Sequence, residues 1–132
     1  MKDTKLAAVA ICETWRFPEP HPGGAWQTLL EELVSTVALE CEAAGVTVIG
    51  HVKALAVWPR GGYVRVSAVD TTHQPTAEST AAAPAAAVEL TLNVLIYGLA
   101  EEAVARVAGG SLRRVAITAG AQVIPCSAPV GG

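Results

Sequence analysis

Residues 46–97 read VTVIGHVKALAVWPRGGYVRVSAVDTTHQPTAESTAAAPAAAVELTLNVLIY, and the parity of their apolar positions decides the fold. Even positions are apolar in three runs: Val48, Val52, Ala54 and Ala56, then Val64, Val66 and Ala68, then Val88, Leu90, Leu92, Val94 and Ile96. Odd positions are mixed, carrying His51 and Lys53, Arg65 and Ser67, and then Glu89, Thr91, Asn93 and Tyr97. Side chains alternate across a strand. A two-residue period therefore predicts a sheet with one face buried on helices and one face polar.

The turn between the first two runs fixes their register. In Trp58-Pro59-Arg60-Gly61-Gly62, Pro59 suits the first central position of a type I turn and Gly61 the left-handed bulge position after it. A three-residue loop pairs Trp58 with Gly62, and so Ala56 with Val64, Ala54 with Val66 and Val52 with Ala68. All of these are apolar. The same register sets Leu55 opposite Arg65, Lys53 opposite Ser67 and His51 opposite Val69 on the outer face. A two-residue loop would slip one strand and mix the faces, so the bulged turn is preferred.

Working outward, residues 25–44 carry Trp26, Leu30, Leu33, Val37, Cys41 and Ala44 at three- and four-residue steps, which predicts a helix ended by Gly45. Residues 13–24 hold Pro18, Pro20 and Pro22 and are expected as loop; residues 6–12 form a short first strand. Residues 71–87, rich in Thr, Ala and Pro, read as a flexible connector, and residues 88–97 as a central strand. Glu101 and Glu102 open a short helix over 100–108, stopped by Gly109-Gly110. A last strand follows at 114–119, and residues 126–132 read as a loose tail.

The expected order is thus βαβββαβ, a ferredoxin-like βαββαβ arrangement with one strand added. That is an α+β two-layer sandwich: a mainly antiparallel sheet of four or five strands with two helices on one face. The 132 residues fit one domain, 1–132, able to bury a core without metal or disulfide staples.

Composition narrows the functional classes. A net charge of -3, with nine Lys and Arg in all, supplies no basic stripe for nucleic acid. No apolar run approaches the ~20 residues needed to span a bilayer. Residues 6–12 are apolar behind a basic-leaning start, but Glu13 and Arg16 follow at once and Ile11 is not the small residue that a lipoprotein cleavage site requires, so an export signal is not expected. Only 16% of residues are charged, against ~25% in a typical domain. A chain so poor in charge is expected to hide apolar surface in a homo-oligomer.

Cys12, Cys41 and Cys126 are odd in number and widely spaced, with no CxxC, a pattern that suits free thiols in a reducing cytoplasm. His21, His51 and His73 have no metal-ligand spacing with each other or with the cysteines, so neither a metal nor any other cofactor is expected. No phosphate loop or dinucleotide fingerprint occurs, and the pairs Glu31-Glu32 and Glu101-Glu102 sit side by side on helices, where neighbours do not share a face.

The ionisable groups that do converge lie on the outer sheet face: His51, Lys53, Arg65, Ser67 and Asn93, with Tyr63 and Tyr97 nearby. They could bind a carboxylate or phosphate. The same face carries Ile49, Leu55, Val57, Val69 and Leu95, which with Tyr97 read as a protein interface with a polar rim. The expected function is a non-catalytic accessory or binding protein that self-associates, or binds a protein partner, through this face. The alternative is a small cytoplasmic enzyme with its site at a subunit interface, His51 serving as acid/base and Lys53 and Arg65 holding an anionic substrate.

Overall fold

The computed structural model describes residues 6–46, 48–80 and 83–126. The chain is α+β, with two helices and a six-stranded antiparallel sheet: β1 (Leu6–His21), α1 (Gly23–Ala43), β2 (Val48–Val57), β3 (Tyr63–Ala68), β4 (Thr76–Ser79), β5 (Ala85–Tyr97), α2 (Glu101–Ala119) and β6 (Gln122–Pro125). Strand order across the sheet is β4-β3-β2-β5-β1-β6. β5 is seated between β1 and β2, which a helix connects. Two strands, not one, extend the expected ferredoxin-like order, and the sheet has six strands rather than four or five.

The hairpin forms in the anticipated register, with Ala56↔Val64, Ala54↔Val66 and Val52↔Ala68 on one face, and Leu55↔Arg65 and Lys53↔Ser67 on the other. Trp58 N–H donates to Gly62 O at 2.9 Å, and Gly61 adopts the left-handed φ of +96° that the bulged turn needs. The ladder ends at Val52↔Ala68, so His51 and Val69 are not a bonded pair.

β1 is more than twice the expected length, because the inward alternation continues past Cys12. Ala7, Trp15 and Phe17 are buried, and Val9 and Ile11 pack against the same core. The ladder with β5 runs from Leu6↔Tyr97 to Arg16↔Ala87, lapses, and resumes at His21↔Ala85. Pro18 and Pro20 stand in the lapse, where no neighbour needs the N–H they lack. Residues 13–21 are therefore strand, not loop.

Residues 71–87 also contain more structure than expected. Asp70 Oδ1 accepts the backbone N–H groups of Thr72 and His73, and the Thr71 hydroxyl donates to Glu42 of α1 at 2.7 Å. β4 then pairs with β3. The indole N–H groups of Trp58 and Trp26 donate to Ala83 O at 2.7 Å and Ala85 O at 3.0 Å, fixing the entry to β5.

α2 passes through Gly109-Gly110 and absorbs residues 114–119, which are helix and not strand. Val104, Ala108, Ser111, Leu112, Val115 and Ala116 are buried at helical spacing. Two interior glycines cost about 1 kcal/mol each, whereas burying Leu112 or Val115 contributes about 1.5–3 kcal/mol apiece. The stop falls instead at Gly120, with φ +81°. The expected tail begins at Cys126; its residues 127–132 lie outside those described, as do residues 1–5 and Thr47.

One hydrophobic cluster unites the inner faces of β1, β2, β3 and β5 with Trp26, Leu30, Leu33, Val34 and Val37 of α1 and the buried stripe of α2. The helices touch each other and the sheet's inner side. No described helix is long and apolar enough to cross a membrane.

Candidate functional site: the uncovered sheet face

Both helices pack on the inner face, and among the described residues no element covers the other. Pairing lays its side chains out in rows. Thr76, Ser67, Lys53, Asn93 and Ala10 follow one another across β4, β3, β2, β5 and β1. One row away stand Glu78, Arg65, Leu55, Thr91 and Cys12; on the other side, His51, Leu95 and Ala8. Neighbouring strands are about 4.8 Å apart, so each row is continuous.

The five expected ligand-binding residues thus share this face, but they fall into two depressions. Lys53, Arg65 and Ser67 line one of about 380 Å³ with Thr76 and Glu78. His51 and Asn93 line another of about 170 Å³ with Ala8, Ala10 and Leu95. Neither Thr76 nor Glu78 was anticipated, because β4 lay inside the presumed connector.

β4 changes the electrostatics. Glu78 accepts from the Arg65 guanidinium at 2.6 Å and from the Tyr63 hydroxyl at 2.6 Å. The bond to that carboxylate is the main reason the Tyr63 phenol is pushed above its ordinary value. Arg65 is therefore already matched by an anion. Lys53 makes no ion pair among the described residues, and neither does Arg16, which stands exposed on the same face of β1 opposite Ala87.

The apolar part of the face differs from expectation at its corner. Leu55, Val57, Leu95 and Tyr97 lie on it, but Ile49 does not. β2 shifts register at Gly50: Ile49 pairs with Ile96 and His51 with Leu95. Ile49 thereby turns inward against the core, while Val48 turns outward opposite Tyr97. The signal was the glycine itself, since glycine inside a strand often marks a bulge or a close backbone approach. Leu6, across from Tyr97 on β1, completes an outward row Val48–Tyr97–Leu6 with exposures of 53%, 37% and 42%.

The cysteines also depart from expectation. Cys12 and Cys126 form a disulfide with Cα atoms 5.6 Å apart, although 114 residues separate them in sequence. β6 runs antiparallel to β1 from Arg16↔Gln122 to Glu13↔Pro125, and the next step brings Cys126 beside Cys12. No local spacing could reveal this. The two sulfurs and a carboxylate oxygen of Glu89 all lie within 4.8 Å of one another. Cys41 is a buried thiol on α1, pushed up to about 11 by burial and by Glu40. His21 stacks on Phe17 at 3.9 Å and His73 pairs with Asp70 at 2.7 Å, so neither joins the face.

Compared with protein-family models, curated proteins and solved structures, the chain matches none.

Proposed function

We propose that this protein works by binding rather than by catalysis, as a two-layer accessory module whose bare sheet face is covered by a second copy of the chain. The observation that carries this reading is the row Val48–Tyr97–Leu6, three outward apolar side chains side by side on adjacent strands. Leu95 and Ala8 continue the patch in the next row. Each of Val48, Tyr97 and Leu6 is only 37–53% exposed, so covering it contributes about 1 kcal/mol before the cost of association. The charge pattern permits a two-fold pairing: Arg65 is matched within its own chain, and the charges left on the face, Lys53, Arg16 and Glu89, stand in different rows, where a cation of one copy can meet the carboxylate of the other. Residence in the cytoplasm belongs to the same reading, and there the Cys12–Cys126 pair would be held largely as thiols.

Light scattering coupled to gel filtration tests the proposal. The wild-type chain should run as a dimer, and Val48→Asp and Tyr97→Asp should each run as folded monomers. A monomeric wild type, or a dimer indifferent to both substitutions, overturns it; a monomer recovered with a different protein on this face would assign the face to that partner instead.

The second reading is an anion site, supported by Lys53, which makes no ion pair among the described residues, standing with Ser67, Thr76 and Asn93 in one row. In it Lys53 holds the anion and His51 serves as acid/base. Arg65 contributes less than the sequence suggests, because Glu78 already occupies it. Unchanged phosphate binding and turnover in Lys53→Ala and His51→Ala would eliminate this reading.

A further inference from the structure

We propose that Cys12, Cys126 and Glu89 form a zinc site that becomes available when the Cys12–Cys126 disulfide is reduced. The site goes beyond the self-association reading and does not depend on it. Three separate elements supply its donors: Cys12 on β1, Glu89 on β5, and Cys126 directly after β6. Their ligand atoms already lie within 4.8 Å of one another, and both cysteines are half-buried. A backbone bond from Cys126 N–H to Cys12 O, 3.4 Å long, and the β6–β1 ladder just before it also tie the last of these to β1.

The donor set selects the ion. Two thiolates with one carboxylate suit zinc, whereas calcium or magnesium would find a single oxygen donor. Zinc binds sulfur at ~2.3 Å in a tetrahedron, so two sulfurs on one ion stand roughly 3.8 Å apart. A disulfide holds them ~2.0 Å apart, so the sulfurs need to separate by less than about 2 Å, which cysteine χ1 rotation supplies. Three protein donors leave a fourth position for water. Glu89 also lines a depression of about 270 Å³ with Thr14, Val57, Trp58 and Pro59, so the ion would sit at the rim of a cavity.

The chemistry balances in two steps. A dithiol reductant gives two electrons and two protons to the S–S bond, yielding two thiols and its own disulfide. Zinc then displaces the two thiol protons to solution and binds the thiolates. The same sulfurs cannot serve both bonds, so occupancy is gated by redox state. In either state Cys126, directly after β6, is fastened to β1.

The test titrates zinc against a chromophoric chelator, using the full chain reduced by a phosphine (itself converted to the phosphine oxide with oxygen from water) and the full chain oxidised. The reduced protein should bind one equivalent and the oxidised protein none. Cobalt in place of zinc should show thiolate-to-metal charge transfer in the near ultraviolet. Cys12→Ser and Cys126→Ser should each weaken zinc binding by more than the ~10–100-fold that even outer-shell partners carry, and Glu89→Gln by at least about tenfold. Glu89 is exposed, so that variant reports on ligation in a folded chain, verified by circular dichroism. Equal zinc uptake in both redox states, no uptake by the reduced protein, or undiminished affinity in Glu89→Gln overturns the site.

Discussion

Gly50 shows how one residue without a side chain can decide which residues face out. A Cβ built there would stand 2.9 Å from the carbonyl oxygen of Leu95 and 3.3 Å from its Cδ2. The oxygen belongs to the backbone of the central strand and cannot swing aside. Gly50→Ala is therefore expected to lower stability by about 1–3 kcal/mol, read from the denaturant midpoint, through overpacking at the bulge. Asp70 sets a second local effect. Two backbone N–H groups and the His73 ring hold its carboxyl down at about 2. A depressed folded pKa means that its contribution to stability is complete above the unfolded value of ~3.9 and is lost as pH falls toward ~2. Carboxyl titration by NMR should find Asp70 still ionised at pH 3. His73→Ala should raise its pKa only part of the way, because the backbone donors remain.

At the scale of elements, periodicity outlasts punctuation. Gly109-Gly110 reads as a stop, yet the stripe from Val104 through Ala108 and Leu112 to Ala116 keeps its helical spacing across them. A Cβ at Gly109 would meet nothing within 4 Å. Gly109→Ala should thus raise stability by about 0.5–1 kcal/mol, seen as a higher denaturant midpoint with unchanged slope. A loss instead would show that this position needs the freedom of glycine. The prolines misled in the same way. Trp15 and Phe17 continue the inward alternation of Val9 and Ile11, a period legible in the sequence beside Pro18 and Pro20. The strand-like run 114–119 was ambiguous for a different reason: a short apolar segment satisfies either period, and only its neighbours on α2 decide.

At the scale of the molecule, the Cys12–Cys126 bond joins positions 114 residues apart. Reduction without metal should lower stability by about 2–4 kcal/mol, chiefly by freeing the unfolded chain, and should lower Tm to the same extent as Cys12→Ser. If the reduced and oxidised chains melt together, the disulfide does not constrain folding. The α+β class, the first helix, the hairpin with its register, and the shared face of His51, Lys53, Arg65, Ser67 and Asn93 follow from local sequence, because each rests on a period or a turn only a few residues long. Only the packing of the whole molecule brings Glu78 to Arg65 and returns Cys126 to Cys12 beside Glu89. Those contacts depend on which strands lie side by side, and strand order is settled by burying the whole inner face at once, not by any local stretch of the chain.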